Sequence, residues 1–249
     1  MLLNATTAIS TSKVLLVPYS KWHVPRYHEW MKDEEIQEAT ASEPLSLNEE
    51  YAMQQSWRND ADKLTFIVCL PTPKDVNANE TLTEEDDSPA CMIGDINLFL
   101  QIDDGDEGTS ALQIIGEIEL MIAEKKDQRR GFGKAALLTF LRYVVAHEGA
   151  ILGEFVSRDE AAKRGFGTAG REGEGRGVKL EALSVKIGQK NERSLALFEG
   201  VGFGKVAEEP NYFGEWELRR TGLDLKAVEG ELEGAGVEGY VEVEYGRRE

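Results

Sequence analysis

The stretch that decides the fold is Gln128-Arg129-Arg130-Gly131-Phe132-Gly133-Lys134-Ala135. The alternating residues before it, 116–123, predict a strand, and the apolar spacing after it predicts a helix that continues to about His147. Two glycines at a helix start leave several backbone N–H groups free to bind one anion, and the helix dipole and the two arginines add to the attraction. The order Q-x-x-G-x-G at a strand-to-helix junction therefore predicts a phosphate-binding loop.

Two other kinds of phosphate loop do not match this stretch. A dinucleotide-binding loop follows the first strand of its domain, whereas this loop follows a strand in the middle of the chain. A nucleoside-triphosphate loop ends in Gly-Lys-Ser/Thr, but here Lys134 is followed by Ala135. The loop is therefore expected to bind a phosphate-containing cofactor of a third kind.

The charge balance limits the class of partner. The chain has 249 residues, with 46 Asp and Glu against 28 Lys and Arg, which gives a formal net charge of −18 at pH 7. Because phosphate contacts need clustered basic residues, this acidity argues against nucleic acid as the main partner. It mildly favours a cationic substrate, although a well-solvated acidic surface is the more common explanation.

Cysteine, histidine and hydropathy patterns indicate the compartment and argue against a metal site. Two cysteines far apart in sequence, Cys69 and Cys91, fit a reduced, cytoplasmic protein. The three histidines are not at metal-ligand spacing with a cysteine, so we expect no metal.

Residues 1–12 do not have the pattern of a secretory signal. No apolar run nears the roughly 18 residues that a membrane span needs, so we expect no membrane association.

The periodicity predicts one α/β domain over residues 13–220, with an N-terminal extension (1–12) and an acidic C-terminal tail (221–249). The predicted strands are 14–18, 64–70, 92–101, 116–123, 180–187, 203–207 and 212–219. The predicted helices are 21–31, 46–57, 135–147 and 191–202, with a capping box at Ser46 and Glu49 and a stop at Gly149. An exposed loop at 71–90 and an inserted flexible loop at 157–177 interrupt the pattern, because both are polar and lack apolar periodicity. Residues 240–245 alternate and fit an edge strand.

Two motifs together resemble the GNAT superfamily of acetyl-coenzyme A (acetyl-CoA) transferases. The superfamily's loop signature, Q/R-x-x-G-x-G/A, matches Gln128-x-x-Gly131-x-Gly133. Its second element, an Asn-led helix after the fifth strand, matches Asn191-x-x-Ser194-x-x-Leu197-Phe198. The resemblance covers roughly residues 13–219. It implies the GNAT fold, a mixed, twisted central sheet of about seven strands flanked by helices, in which the fourth and fifth predicted strands splay apart.

Longer strings resemble one eukaryotic subfamily, the N-acetyltransferase 9 group, to which alpha/beta-tubulin N-acetylation is assigned. These strings are Leu16 to Tyr19, His23 to Met31, Thr40 to Leu45, Glu50 to Gln54, Gly94-Asp95-Ile96-Asn97-Leu98-Phe99 and Gly116 to Glu119. Residues 157–177 and the tail after Thr221 lie outside the match. The resemblance implies a protein substrate, with tubulin as the suggested partner, and nothing in the residue spacing itself selects tubulin.

The superfamily also implies which residues contact acetyl-CoA. Backbone N–H groups of residues 129–134 are expected to bind its pyrophosphate, and the strand edge near Met121 and Ile122 its pantetheine arm. Asn191 and Ser194 are expected on the other side of the cofactor. The full expected set is Met121, Ile122, Gln128, Arg129, Arg130, Gly131, Phe132, Gly133, Lys134, Ala135, Asn191 and Ser194.

A general base for the attacking amine is implied in the same way. Glu117 lies 11 residues before Gln128, which is the spacing of the catalytic glutamate in histone-modifying members. Glu119 is the alternative on the same strand face, and a solvated carboxylate without a catalytic role is as consistent with the sequence. Many relatives place a tyrosine acid at the position of Phe198. Tyr212, water, slow chemistry or cofactor binding without much catalysis are therefore open alternatives.

Three hypotheses of function follow. The first is an acetyl-CoA-dependent N-acetyltransferase for a protein amine; an N-terminus is favoured because its pKa of about 7.7–8.0 lies below the ~10.4 of lysine. The second is a catalytically weak, acetyl-CoA-binding regulator of microtubules or of another protein partner. The third is a small-molecule amine acetyltransferase. In each case we expect a monomer.

Overall fold

One mixed sheet of nine strands organises the residues that this computed structural model describes, which are 1–72, 82–103, 112–166 and 178–246. In chain order the strands are β1 (Thr7–Ser10), β2 (Leu15–Pro18), β3 (Lys63–Cys69), β4 (Met92–Asp103), β5 (Gln113–Ile122), β6 (Leu180–Gly188), β7 (Gly204–Lys205), β8 (Glu215–Arg220) and β9 (Val241–Glu244). Their spatial order is β7-β8-β6-β5-β4-β3-β2-β1-β9, and β5 and β6 pair in parallel. The expected mixed α/β fold is confirmed, and the expected count of about seven strands is wrong by two.

Helices cover both faces of the sheet. They are α1 (Val24–Trp30), α2 (Glu34–Ala39), α3 (Leu47–Asn59), α4 (Phe132–Ala146), α5 (Glu148–Arg158), α6 (Glu160–Phe166), α7 (Glu192–Glu199) and α8 (Leu225–Gly234). Buried side chains of α1 share one apolar cluster with β2 and β3, whereas α4, α5, α7 and α8 share the other with the opposite sheet face. The predicted capping box opens α3, where Glu49 Oε2 accepts the Ser46 N–H at 2.8 Å.

The two extra strands come from the ends of the chain. β1 lies in the expected N-terminal extension and β9 in the expected tail, and they pair antiparallel beside β2. The predicted edge strand at 240–245 is thus confirmed as β9, whereas β1 was missed because Thr7-Ala8-Ile9-Ser10 carries no alternating apolar pattern. The tail also forms α8, whose Val228 and Leu232 are buried against the α4 side of the sheet. Both ends therefore contribute to the same core as the central domain.

The region after α4 departs from the sequence expectation. Gly149 does not end the helix: α4 ends at Ala146, and Gly149 lies inside α5, which continues the chain after a bend of 71°. The flexible loop expected at 157–177 is wrong in its first part, because Asp159 Oδ1 accepts the Ala162 N–H at 2.8 Å at the start of α6. Residues 167–177 of that loop, and 73–81 of the loop expected at 71–90, lie outside the described residues.

No single helix among the described residues is long and apolar enough to cross a bilayer. The bent pair α4 and α5 meets the criterion by length and composition alone.

Candidate active site

The loop between β5 and α4 has the backbone shape of an anion site. Arg129 (φ 62°) and Gly131 (φ 87°) both have left-handed backbone conformations, and α4 begins at Phe132 directly after Gly131. Gly131 is the N-cap residue and has no side chain that could accept a hydrogen bond, so the N–H groups of the first helical turn stay available. A negative group placed there would accept these N–H groups and meet the positive end of the helix dipole.

Two side chains of the loop are used within the protein. Gln128 Nε2 donates to the Ile122 carbonyl oxygen at 2.8 Å and so ties the loop to the end of β5. Arg130 Nη1 donates to the buried Asp127 carboxylate at 2.6 Å, and its guanidinium lies 5.2 Å from the centre of the Phe132 ring. These contacts fix the path of the backbone, which is the part of the loop expected to bind phosphate.

Gly133 marks the point where three elements meet. A Cβ atom built on it would lie 3.6 Å from Leu197 of α7 and 3.7 and 3.9 Å from Ile122 and Leu120 of β5. Those are ordinary contact distances, so a larger side chain would fill the space that glycine leaves between the loop and the two elements. The free N–H groups and this space fit an extended molecule that carries phosphate at one end, as acetyl-CoA does.

The sheet opens beside this point. β5 and β6 pair from Ile114 and Leu180 as far as Glu117 and Ser184, and no further pair joins the described strands beyond them. β4 continues to pair with β5 through Ile122, so one edge of residues 118–122 is left without a strand partner. The predicted splay is confirmed. The open edge near Met121 and Ile122 offers backbone groups to an arm that adds itself as a strand.

Helix α7 borders the opening on the β6 side. Asn191 Oδ1 accepts the Ser194 N–H at 3.2 Å and caps the helix, and Leu197 approaches Gly133. Phe198 belongs to the apolar core, where it is 3% exposed and packs edge-on against Phe203 with ring centres 5.1 Å apart. The position of the tyrosine acid in many relatives is thus an apolar core position here.

Glu117 lies at the apex of the opening, and one of its carboxylate oxygens has two partners. Its Oε2 accepts from Lys186 Nζ at 2.8 Å and from Gln101 Nε2 at 3.0 Å. Lys186 belongs to β6, beyond the last β5–β6 pair, so this ion pair bridges the start of the gap. Lys186 pairs with the negative charge of Glu117, and the two donors together hold the carboxylate in place.

Glu119 differs from Glu117 in each of these respects. It is exposed to solvent, and among the described residues no hydrogen bond or ion pair reaches its carboxylate. Desolvation by the surrounding protein, and then the Asp95 and Glu117 carboxylates, raise the pKa of Glu119 to about 7. Because the carboxylate is exposed, its desolvation is partial; the two neighbouring negative charges raise the pKa further, and the Lys186 ammonium lowers it.

Asp95 was not identified as a site residue from the sequence. It is 3% exposed, and its Oδ2 accepts from Asn97 Nδ2 at 2.8 Å and from the Tyr27 hydroxyl at 3.4 Å. Desolvation raises its pKa to about 6, although the hydrogen bonds from Asn97 and Tyr27 lower it. The signal that could have found it is polar spacing within an apolar strand, because Asp95 and Asn97 are buried on one face of β4.

Of the other side chains, two aromatic ones are buried in the core, and the alternative acid Tyr212 is exposed. Tyr27 and Trp30 are buried in the apolar cluster under α1. Tyr212, an alternative acid, is 97% exposed and packs edge-on against Phe213 in the loop before β8. In the described part of the chain, no group of three or more His, Cys, Asp or Glu side chains is placed to hold a metal.

The chain is similar in sequence to a known family of enzymes. Residues 13–204 match the family model described as the acetyltransferase (GNAT) domain. The chain is 42% identical over 222 residues to the Homo sapiens protein named alpha/beta-tubulin-N-acetyltransferase 9, covering 89% of this chain and 86% of that protein. It is 44% identical over 203 residues to the Drosophila melanogaster protein of the same name, covering 82% and 81%.

Solved structures give a likeness in fold. The crystal structure of spermidine N-acetyltransferase from Vibrio cholerae, in complex with CoA and spermine, matches with a TM-score of 0.52 and 15% identity. The match covers 84% of this chain and 94% of that one. At this identity the likeness concerns the arrangement of the sheet and helices and carries no information on the amine that is acetylated.

Proposed function

We propose an acceptor and a general base for this chain, which belongs to the acetyltransferase (GNAT) family and is therefore an N-acetyltransferase that uses acetyl-CoA. The acceptor is the α-amino group at the N-terminus of a protein, and Glu119 is the base. Tubulin is the first acceptor to test, because the human and fly relatives carry it in their names. When bound, acetyl-CoA supplies an acetyl group activated as a thioester.

The observation that carries the proposal is the position of Glu119 at the open gap in the sheet. Glu119 pairs with Asn97 on β4, two residues past the last β5–β6 pair, so its side chain stands where the strands have separated. The phosphate loop and Leu120 lie toward the α4 side, whereas Glu119 lies on the face of β5 toward α1. This arrangement supports entry of the acetyl donor and of the amine from opposite sides.

Proton affinity supports an α-amine over a lysine side chain. The acceptor must lose a proton before its nitrogen lone pair can attack, and Glu119, with its pKa raised to about 7, can hold that proton at neutral pH. An α-ammonium has an ordinary pKa of about 7.7–8.0, so transfer of its proton to Glu119 is close to balanced. The ordinary pKa of lysine is about 10.4, so the same transfer is uphill by roughly three powers of ten.

Glu117 has a different part in this proposal. Its ion pair with Lys186 and its hydrogen bond from Gln101 support a structural role at the apex of the gap. The earlier expectation that Glu117 is the base stays a prediction, and the free carboxylate of Glu119 supports the alternative. The expected cofactor residues also stay predictions, with Gln128 acting through the shape of the loop.

Phe198 leaves the usual position of an acid without a proton to give, which favours a second candidate function. The protein would then bind acetyl-CoA and a protein partner with little turnover. However, a thiol has an ordinary pKa of about 8.5, so its thiolate leaves near neutral pH without an obligate acid. We therefore rank transfer above binding alone.

The test is acetylation of peptides by the purified full chain with acetyl-CoA, followed by mass spectrometry that locates the acetyl group. One peptide set begins with the N-terminal sequences of alpha- and beta-tubulin and has free α-amines. The matched set has the same sequences with blocked N-termini and one added lysine. We expect turnover on the first set at least about 10-fold faster than on the second.

Three other outcomes decide between the alternatives. Equal turnover on both sets, or turnover on polyamines only, contradicts the N-terminal acceptor. Micromolar acetyl-CoA binding without turnover on any amine supports the binding function. Absence of acetyl-CoA binding by folded protein contradicts both functions.

A further inference from the structure

The string Gly94-Asp95-Ile96-Asn97 on β4 has no part in the function as stated so far. In the register of β4 with β5, Asp95 pairs with Met121 and Asn97 pairs with Glu119. Because alternate residues of a strand share a face, Asp95 and Asn97 lie on the same face as Glu119. The two strands also approach closely, since a Cβ atom on Gly94 would lie 1.9 Å from the Met121 carbonyl oxygen. Asp95 is therefore held at a fixed offset from Glu119.

The surroundings of Asp95 hold its carboxylate in one orientation. Asn97 Nδ2 and the Tyr27 hydroxyl both donate to Oδ2, from the strand itself and from α1. The other end of the Asn97 amide, Oδ1, is buried and has no hydrogen-bond partner in the described structure. This free acceptor belongs to the residue that pairs with Glu119, and it would suit either an ammonium N–H or a protonated Glu119.

Charged and titratable groups face Glu119 from each element packed around it. β4 contributes Asp95, β5 contributes Glu117, β6 contributes Lys186, and α1 contributes the Tyr27 hydroxyl. Glu50 of α3 acts on Tyr27 rather than on Glu119. The ion pair with Lys186 offsets Glu117, so Asp95 is the remaining negative neighbour whose charge no basic side chain in the described structure pairs.

We propose that Asp95 is a positioning residue for acetyl transfer: held by Asn97 and Tyr27, it acts on Glu119 and keeps that carboxylate able to take a proton from the acceptor's ammonium. This proposal rests on the assignment of Glu119 as the base. One proton passes from the ammonium nitrogen to the Glu119 carboxylate, which gives a neutral amine and a carboxylic acid. The two carboxylates and the ammonium carry −1 before the transfer, and Asp95 alone carries −1 after it.

The test is the pH dependence of kcat/KM for wild type and Asp95→Asn, a change that keeps the shape and removes the charge. Removal of a nearby negative charge favours ionised Glu119, so its pKa falls. The acidic limb of the profile is then expected to move to lower pH by about one unit. Glu50→Gln is the matched control, because Glu50 is 1% exposed and its charge does not act on Glu119. Its profile is expected to coincide with that of wild type.

A second readout does not depend on turnover. Carboxylate carbons of ¹³C-labelled glutamate are titrated by NMR in wild type and Asp95→Asn, with Glu119→Gln used to assign the Glu119 signal. The Glu119 midpoint is expected to fall in Asp95→Asn and to stay in Glu50→Gln. Where Asp95→Asn does not fold, Asn97→Ala replaces it. Loss of that donor lets Asp95 hold its own proton to higher pH, so Glu119 again titrates lower.

Each outcome separates this proposal from the assignment of the base. An unshifted Glu119 midpoint in a folded Asp95→Asn protein overturns the role of Asp95, even where Glu119→Gln abolishes turnover. If Glu119→Gln retains full turnover while the midpoint shifts, the base is wrong and the electrostatic coupling is right. In the Glu119→Gln background, Asp95→Asn is expected to change kcat/KM less than twofold. A loss as large as in wild type would mean that Asp95 acts by another route.

Discussion

The two sides of the gap between β5 and β6 are built by different means. On the α4 side, the phosphate loop offers backbone N–H groups whose positions follow from the left-handed conformations of Arg129 and Gly131. On the α1 side, the chemistry depends on side chains from neighbouring strands, Asp95 on β4 and Glu119 on β5. The first side is specified within a few consecutive residues, whereas the second exists only once the strands have aligned. This difference determines which substitutions each side tolerates and how much of each side can be predicted from the sequence.

The largest expected effect is a loss of acetyl-CoA affinity, caused by substitutions on the α4 side alone. Gly131→Glu combined with Gly133→Glu places two carboxylates where the N–H groups would meet a pyrophosphate. Like charges at close range cost several kcal/mol, so acetyl-CoA affinity is expected to fall at least about 10³-fold. Isothermal titration calorimetry measures this loss, and circular dichroism checks that the helix content is retained. Gly131→Ala with Gly133→Ala is the uncharged control and is expected to bind more tightly than the charged pair.

On the α1 side, the loss of kcat/KM on substitution distinguishes the roles of Glu119 and Glu117. Glu119→Gln keeps the shape of the side chain but cannot hold the amine's proton, so kcat/KM is expected to fall by about 10²–10⁴-fold at pH 7.5. Glu117→Gln is the matched variant on the same strand face and is expected to lose less than about 10-fold. Acetyl-CoA affinity is expected to stay within about threefold of wild type in both. A larger loss for Glu117→Gln than for Glu119→Gln would restore Glu117 as the base.

The same contrast explains what the sequence could foretell. The loop, the helix after it and the Asn191 cap depend on local order and could be predicted, whereas the splay was expected only from the family resemblance. Sequence placed Glu117 and Glu119 on one strand face but could not tell which was free. The partner that neutralises Glu117 is Lys186, which lies 69 residues away in the chain.

The features of the fold that could not be predicted from the sequence have a related cause. β1 has only two adjacent apolar residues, Ala8 and Ile9, and gains its place by pairing with β2 and β9, so no local pattern predicts it. The glycine at 149 resembles a helix stop, yet Ile151, Leu152 and Phe155 bury against the core and continue the chain as α5. Asp95 resembles one polar position on a half-solvated strand, because the helix that covers it, α1, is remote in sequence. In each case a long-range contact overrides the local signal.

The smallest of the three effects is on the free energy of unfolding. It is tested by comparing Gly94 on β4 with Gly133 on the α4 side. A Cβ at Gly94 would meet the backbone carbonyl oxygen of Met121 at 1.9 Å, and no rotamer change can relieve a clash with backbone. Gly94→Ala must therefore move β4 away from β5, and the free energy of unfolding is expected to fall by about 3 kcal/mol. A Cβ at Gly133 would meet only side-chain atoms, the nearest at 3.6 Å. Gly133→Ala is expected to change the free energy of unfolding by less than about 1 kcal/mol, because alanine also favours the helix.

Urea denaturation followed by tryptophan fluorescence measures both free energies, and acetyl-CoA titration measures binding in the same preparations. Gly94→Ala is expected to lower stability and, with it, the register that brings Asp95 toward Glu119. Gly133→Ala is expected to keep stability and lower acetyl-CoA affinity, because its methyl group enters the space between the loop and Leu197. Equal stability of the two variants would mean that β4 and β5 lie farther apart than the close contact at Gly94 requires. The fixed offset between the Asp95 and Glu119 carboxylates would then have no structural basis.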